Sequence, residues 1–172
     1  MKVILYMAIS LNGIIARDNN EEDFLSEANW DTLLKLVNKS GCLIWGRKTY
    51  EIFQTWEDKY KENIKNIKKV IVSSDENFNP VENYEKTSSP KEALGLLEQE
   101  GFNEVILAGG AKLNSSFCKE NLIDEIIFNI EPVVIGKGIS VFSPDNFDLK
   151  LEFIKQEMIS KNLVQLHYKV IK

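Results

Sequence analysis

Three observations predict a three-layer α/β/α fold. Short apolar runs rich in Val, Ile and Leu recur along the chain, amphipathic helical patterns lie between them, and Gly, Pro, Asn and Ser mark the junctions. Strand and helix in alternation build a mixed, mostly parallel sheet covered on both faces. Two long alternating segments close the chain, Leu149 to Met158 and Leu163 to Ile171, and they predict an antiparallel hairpin on the edge of that sheet. No linker, internal repeat or low-complexity stretch interrupts residues 1–172, so one domain is expected.

Each element has its own justification. Lys2 to Ile9 is an apolar first strand, Ser10-Leu11-Asn12-Gly13 a turn, and Ile14 to Ala16 extended again. Trp30, Leu33, Leu34 and Val37 fall on one face of a helix, and Gly41 supplies its left-handed C-terminal cap. Cys42 to Trp45 is the second strand, with a short helix from Lys48 to Gln54. Lys69 to Ser73 is the third, and Tyr84 to Thr87 a short edge strand. Ser89, Pro90 and Glu92 read as a capping box opening a helix that Gly101 stops. Glu104 to Ala108 is a strand, Lys112 to Lys119 a helix, and Ile123 to Ile130 a strand ended by Pro132.

Composition narrows the function. Hydrophobic residues at 44% and charged ones at 27% describe a soluble globular chain, and no apolar run approaches the ~20 residues that span a bilayer. The short apolar start carries no secretory signal, so no membrane association is expected. A net charge of −5 argues against nucleic acid as a partner. The densest basic stretch, Lys61 to Lys69, reads as a solvated connector. One histidine, His167, and two cysteines outside any Cys-x-x-Cys pair, Cys42 and Cys118, exclude the usual zinc sites. His167 is read as structural and the thiols as inert and buried, which suits a cytoplasmic setting.

Two strand-to-helix junctions carry the chemistry. Val105-Ile106-Leu107-Ala108 runs into Gly109-Gly110, then Ala111-Lys112-Leu113 starts a helix. Glycines let a ligand approach the backbone, and the fresh helix end offers unpaired N–H groups to an anion. The run Cys42 to Trp45 ends in Gly46-Arg47-Lys48-Thr49, which adds two cations and a hydroxyl. A third strand ends in Ser73-Ser74. In an open α/β sheet ligands gather at the carboxyl ends of strands, so three such ends predict a phosphate-bearing cofactor. The dinucleotide fingerprint Gly-x-Gly-x-x-Gly is absent, and an ordinary Rossmann unit is not supported. Gly41 to Thr49 imitates a P-loop only loosely, because its four central residues are the strand Cys-Leu-Ile-Trp.

In these motifs, and in Ala8 to Ala16 and Pro132 to Phe142, the chain resembles the dihydrofolate reductase-like superfamily. Within it, the reductase domain of riboflavin-biosynthesis deaminase-reductases is the most similar, and the likeness runs nearly end to end. The resemblance implies NADPH and hydride transfer to a small pyrimidine or pterin-like heterocycle, as in 5-amino-6-(5-phosphoribosylamino)uracil reductase. It implies that Gly46, Arg47, Lys48 and Thr49 hold phosphates and that Arg47, Ser73 and Ser74 meet the adenosine 2′-phosphate. Gly109, Gly110, Ala111, Lys112 and Leu113 would cover the pyrophosphate, and Ala8 and Ile15 would flank the nicotinamide. It further implies a homodimer joined through sheet edges.

The substrate side is less defined. Asn12 stands where riboflavin-type relatives carry an aspartate, and Ala108 where they carry an acid. Asn12 and Trp30 are expected to contact substrate, Asp23 to line the pocket, and Asp31 and Glu27 are the candidate proton donors at the start of the first helix. A folate reductase needs an arginine for the glutamate tail, and that position holds Ile67 beside Lys68 and Lys69, which cannot reproduce a two-point guanidinium grip. Two rival readings remain, a folate reductase proper and a non-catalytic NADPH-binding module.

Overall fold

The computed structural model describes residues 1–172. Ten strands and five helices follow one another as β1 (Lys2–Ser10), β2 (Ile14–Ala16), α1 (Glu27–Ser40), β3 (Cys42–Gly46), α2 (Arg47–Gln54), α3 (Asp58–Asn63), β4 (Lys68–Val72), β5 (Glu85–Thr87), α4 (Pro90–Gln99), β6 (Glu104–Leu107), α5 (Ala111–Lys119), β7 (Glu125–Glu131), β8 (Ile139–Ser140), β9 (Lys150–Met158) and β10 (Val164–Ile171). Eight strands form one sheet in the order β5-β4-β3-β6-β1-β7-β10-β9. The six from β5 to β7 run parallel, and β10 is antiparallel to both its neighbours. The expected mixed sheet and its C-terminal hairpin are both present. No helix is long and apolar enough to cross a membrane.

Strand alternation explains the three layers. Val3 and Leu5 of β1, with Cys42 and Ile44 of β3, face α4 and α5 and pack with Ala93, Leu97, Leu113 and Phe117. Ile4 and Tyr6, with Leu43 and Trp45, face the other way and pack with Leu33 and Val37 of α1 and Tyr50 and Phe53 of α2. Strands buried on both faces must be apolar throughout, which is why the central runs lack polar alternation.

Local signals behave as their chemistry dictates. Gly41 takes φ 76° and donates its N–H to the Val37 carbonyl, ending α1. Ser89 Oγ accepts from Glu92 N at 3.3 Å. The capping box needs one correction: the Glu92 carboxylate reaches Ser88, accepting from its N at 2.7 Å and its Oγ at 2.5 Å, and bypasses the Ser89 backbone.

The expectation of a solvated connector over Lys61 to Lys69 holds for Glu62, Asn63, Lys65 and Asn66 and fails at Ile64, Ile67 and Lys69. The segment holds the end of α3, and Ile64 and Ile67 are buried beneath it. Lys69 is itself only 3% exposed; its Nζ donates to the carbonyls of Ile64 at 2.9 Å and Lys65 at 3.2 Å, and burial lowers its pKa. Two isoleucines spaced among lysines outweigh the charge count, because they close the core between α2 and β4. Cys42 and Cys118 are free and buried, with burial pushing both thiols up to about 12.

Candidate functional site

The carboxyl ends of β3 and β6, neighbours in the sheet, launch α2 and α5 side by side. The Gly46 N–H donates to the Gly109 carbonyl at 2.8 Å, tying the two turns together. Gly109 has φ 89°, a left-handed conformation that suits glycine, and a Cβ there would lie 3.1 Å from Met7 Cε. A Cβ on Gly110 would lie 3.2 Å from Thr49 Oγ1. Glycine therefore fits where the two turns meet, and a side chain there would have to displace Met7 or Thr49.

Both helix starts are bare. Neither α2, whose N-cap is Gly46, nor α5, whose N-cap is Gly110, has a side-chain cap or an acid in its first turn. The other three helices each place an acid there, Glu27, Asp58 and Glu92. Carboxylates normally settle at helix N-termini, so replacing them with Lys48 and Lys112 leaves two positive ends for an outside anion.

A cleft of about 570 Å³ opens between these helices. Gly46, Arg47, Lys48 and Thr49 line it on one side and Gly110 to Leu113 on the other, with Ser73, Ser74 and Ile15 completing the wall. Gly109 stands directly behind. The predicted cofactor residues thus converge in space although they are spread over about a hundred positions. Arg47 is already engaged: its Nε donates to Glu51 Oε1 at 2.6 Å and its Nη1 to Asp75, and its guanidinium lies 5.0 Å from the Phe78 ring centre. These carboxylates aim the guanidinium along the cleft wall. Ser73 Oγ accepts from the Asp75 N–H at 3.3 Å, which fixes the turn after β4.

A second cavity, about 500 Å³, adjoins the first. The two share Ile15, Glu22, Thr49 and Ile52 as common wall. Ala8 and Ala108 form part of its floor, and Tyr6, Trp30, Trp45, Phe53, Trp56 and Tyr60 make it strongly aromatic. Trp30 stacks on Phe53 at 5.8 Å and meets Trp56 and Tyr60 edge-on at 5.7 and 5.3 Å. Ala8 lines the aromatic cavity, Ile15 the join between the two, and Trp30 belongs to the aromatic wall.

Three expectations on the substrate side need correction. Asn12 is exposed and lines neither cavity; it bridges the turn after β1 to the chain after β7, donating to the Ile135 carbonyl at 2.8 Å and accepting from Ile135 N at 3.0 Å and Ser10 Oγ at 2.8 Å. Asp31 points to solvent on the outer face of α1, away from both cavities. Asp23 is exposed and paired with Arg17 at 2.8 Å. Glu27 does stand in the aromatic wall, at its exposed rim.

The residue that sequence reasoning passed over is Glu22. It lies on the polar loop between β2 and α1, in the wall common to both cavities, and burial pushes its carboxyl up to about 7. Such a carboxyl holds a proton near neutrality beside the point where the two cavities meet. Its only signal in the sequence is its place in a run of three acids, Glu21-Glu22-Asp23, where nothing distinguishes the half-buried one.

The loop and the floor are held by a buried polar network. Glu131, 6% exposed, accepts from Ser26 N at 2.8 Å, Ser26 Oγ at 2.7 Å and Asn29 Nδ2 at 2.6 Å. Asn129 donates to Tyr6 Oη and Asn29 Oδ1, each at 3.0 Å, and Gln165 donates to Asn129 Oδ1 at 2.8 Å. The start of α1 is thereby bolted to β1, β7 and β10. His167 is structural as expected, its Nε2 lying 2.8 Å from Glu125 Oε2.

Comparison with known proteins agrees with this architecture. The family model of the RibD C-terminal domain matches residues 1–165. The chain belongs to that family. Bacillus subtilis YwjB is similar at 29% identity over 97% of both chains, and YyaP from the same organism at 25% over 97% of this chain and 94% of its own. Among solved structures, a putative riboflavin biosynthesis protein from Shewanella sp. PV-4 superposes with a TM-score of 0.82 at 24% identity, each chain fully covered. A pyrimidine reductase-like protein from Corynebacterium diphtheriae gives 0.78 at 15%, covering 99% of this chain and 92% of that one. Acinetobacter baumannii RibD gives 0.79 at 20%, with 99% of this chain spanning 58% of its length. These likenesses bear out the dihydrofolate reductase-like fold over the whole domain.

Proposed function

We propose that this RibD C-terminal domain protein is an oxidoreductase that uses NADPH to reduce a small pyrimidine or pterin-like heterocycle. The observation that carries the reading is the pair of adjoining cavities, one ringed by bare helix starts and cations, the other by aromatic rings, with Glu22 between them. The cradle fits the cofactor: at Gly110 a side chain would occupy the space against Thr49, and two uncapped helix ends face the same cleft. Arg47, Ser73 and Ser74 would meet the 2′-phosphate, and Lys48, Thr49 and Lys112 with the backbone of Gly110 and Ala111 the diphosphate.

When bound, NADPH supplies a hydride. The chain's residues do the rest. Ala8 on the floor of the aromatic cavity and Ile15 where the cavities join present small and branched surfaces, so that a nicotinamide ring and a second flat ring can lie face to face. The aromatic wall excludes water and orients the acceptor. Glu22 holds the proton that balances the reduction at the acceptor heteroatom.

NADPH titration followed by fluorescence is the direct test. Arg47→Ala should weaken NADPH more than NADH, and Thr49→Ala should weaken both; equal effects on the two cofactors would remove Arg47 from 2′-phosphate recognition. A folate reductase is disfavoured by the structure, because Lys68 is paired with Glu85 and Glu100 and Lys69 is buried on carbonyls, leaving neither at a cavity. An NADPH-binding module without catalysis would bind the cofactor and leave it unoxidised whichever heterocycle is offered.

We also propose a homodimer formed through the sheet edge. All nine residues of β9 are exposed, including Leu151, Phe153, Ile154 and Met158, an apolar edge that an isolated subunit would leave open to water. Light scattering should give a dimer mass, and Phe153→Glu a monomer.

A further inference from the structure

The two cavities differ in charge as sharply as in shape. The cations that line the site all belong to the cleft between α2 and α5: Arg47, Lys48 and Lys112. The aromatic cavity has none, and its wall holds three acidic side chains, Glu22, Glu27 and Glu57. One basic group stands at its rim, outside the lining, and another on the loop before α1 is engaged by an acid. Lys59 lies 3.3 Å from Glu57 over the Tyr60 ring at the rim, and Arg17 is held by Asp23. The positive end of α1, which begins at this cavity, is already answered by Glu131 through Ser26 and Asn29. Ring faces add negative potential to the same space. A phosphate entering there would lose its water, find no cation in the wall beyond the Glu57-paired Lys59 at the rim, and meet the carboxyl groups of Glu22 and Glu27.

We infer that the aromatic cavity takes a flat conjugated ring that is neutral or cationic and carries no phosphate. This rests on the reductase reading for its place in a reaction, while the charge preference rests on the cavity alone. It separates this chain's substrate from the phosphoribosyl class named for the uracil reductases of the fold. Selectivity would come from stacking among Trp30, Trp56 and Tyr60 and from the carboxyl groups of Glu27 and Glu57 drawing a positive ring inward.

All three tryptophans of the chain line this cavity, so their fluorescence reports its occupancy directly. Three bicyclic probes of one size differ only in charge at neutral pH: 4-aminoquinoline is a cation, quinoline is neutral and quinoline-4-carboxylate is an anion. Titrated without cofactor, the cation should bind on the order of tenfold tighter than the anion, with quinoline between. The double variant Glu27→Gln, Glu57→Gln should narrow that gap; both positions are exposed, so the fold is kept. Uridine should quench at least as well as uridine 5′-monophosphate. Tighter binding of the carboxylate or of the nucleotide overturns the inference, and so does failure of all three quinolines to quench. Failure of NADPH to bind in a separate titration would sink the reductase reading and leave the probe order standing.

Discussion

Replacing Glu22 by glutamine tests the site through stability, without any ligand. Burial raises the carboxyl from 4.5 in a solvated chain to about 7 in the folded protein. Because the folded state binds this proton more tightly than the unfolded one, raising the pH favours unfolding across the window between those values. Below 4.5 both states are protonated and the group costs nothing. Above 7 both are ionised and the full penalty of a carboxylate in an apolar wall is present. The gap corresponds to about 3 kcal/mol. Glutamine has the same shape and no charge, so Glu22→Gln should match the parent at pH 4 and exceed it at pH 8 by an amount approaching that figure. Urea unfolding of both proteins at the two pH values measures the difference, and effects of all other groups cancel in the subtraction. A stability difference that is the same at pH 4 and pH 8, or a glutamine variant weaker at pH 8, would refute the buried-acid assignment.

Other perturbations reach different parts of the site. If protonated Glu22 is the donor, the rate of heterocycle reduction should fall as pH rises through about 7, and Glu22→Gln should be slow and flat across that range in single-turnover measurements. Gly110→Val should abolish NADPH binding while leaving the far-UV spectrum intact, since its φ of −85° accepts a side chain but the contact with Thr49 Oγ1 does not. Glu131→Ala strips one buried and two part-buried donors of their acceptor and should cost about 1–3 kcal/mol in urea unfolding; a loss under about 0.5 kcal/mol would show that water replaces it freely.

Much of this molecule is written locally. The alternation of Val-, Ile- and Leu-rich strands with amphipathic helices dictates the layers, because a strand buried on both faces has no use for polar residues. Gly41 ends a helix for reasons internal to its own turn. The cleft between α2 and α5 is legible too, since Gly46 to Thr49 and Gly109 to Leu113 each combine a strand, a glycine and an acid-free helix start, and such junctions work as short contiguous units.

Charge roles escape that kind of reading. Glu22 and Asp23 are adjacent acids, yet one lines the cavity wall with a raised pKa and the other is exposed and paired with Arg17. Asn12 has the position of a substrate ligand and spends its amide on Ile135, 123 residues away. Lys69 sits in a basic run and is buried on two carbonyls. The electrostatic state of a side chain depends on what surrounds it within a few ångströms, and those neighbours come from distant segments. Sequence by itself determined most strands and turns and the two glycine junctions; only tertiary contact decided which acid enters the cavity wall and that no cation lines the aromatic cavity, because those neighbours come from distant segments.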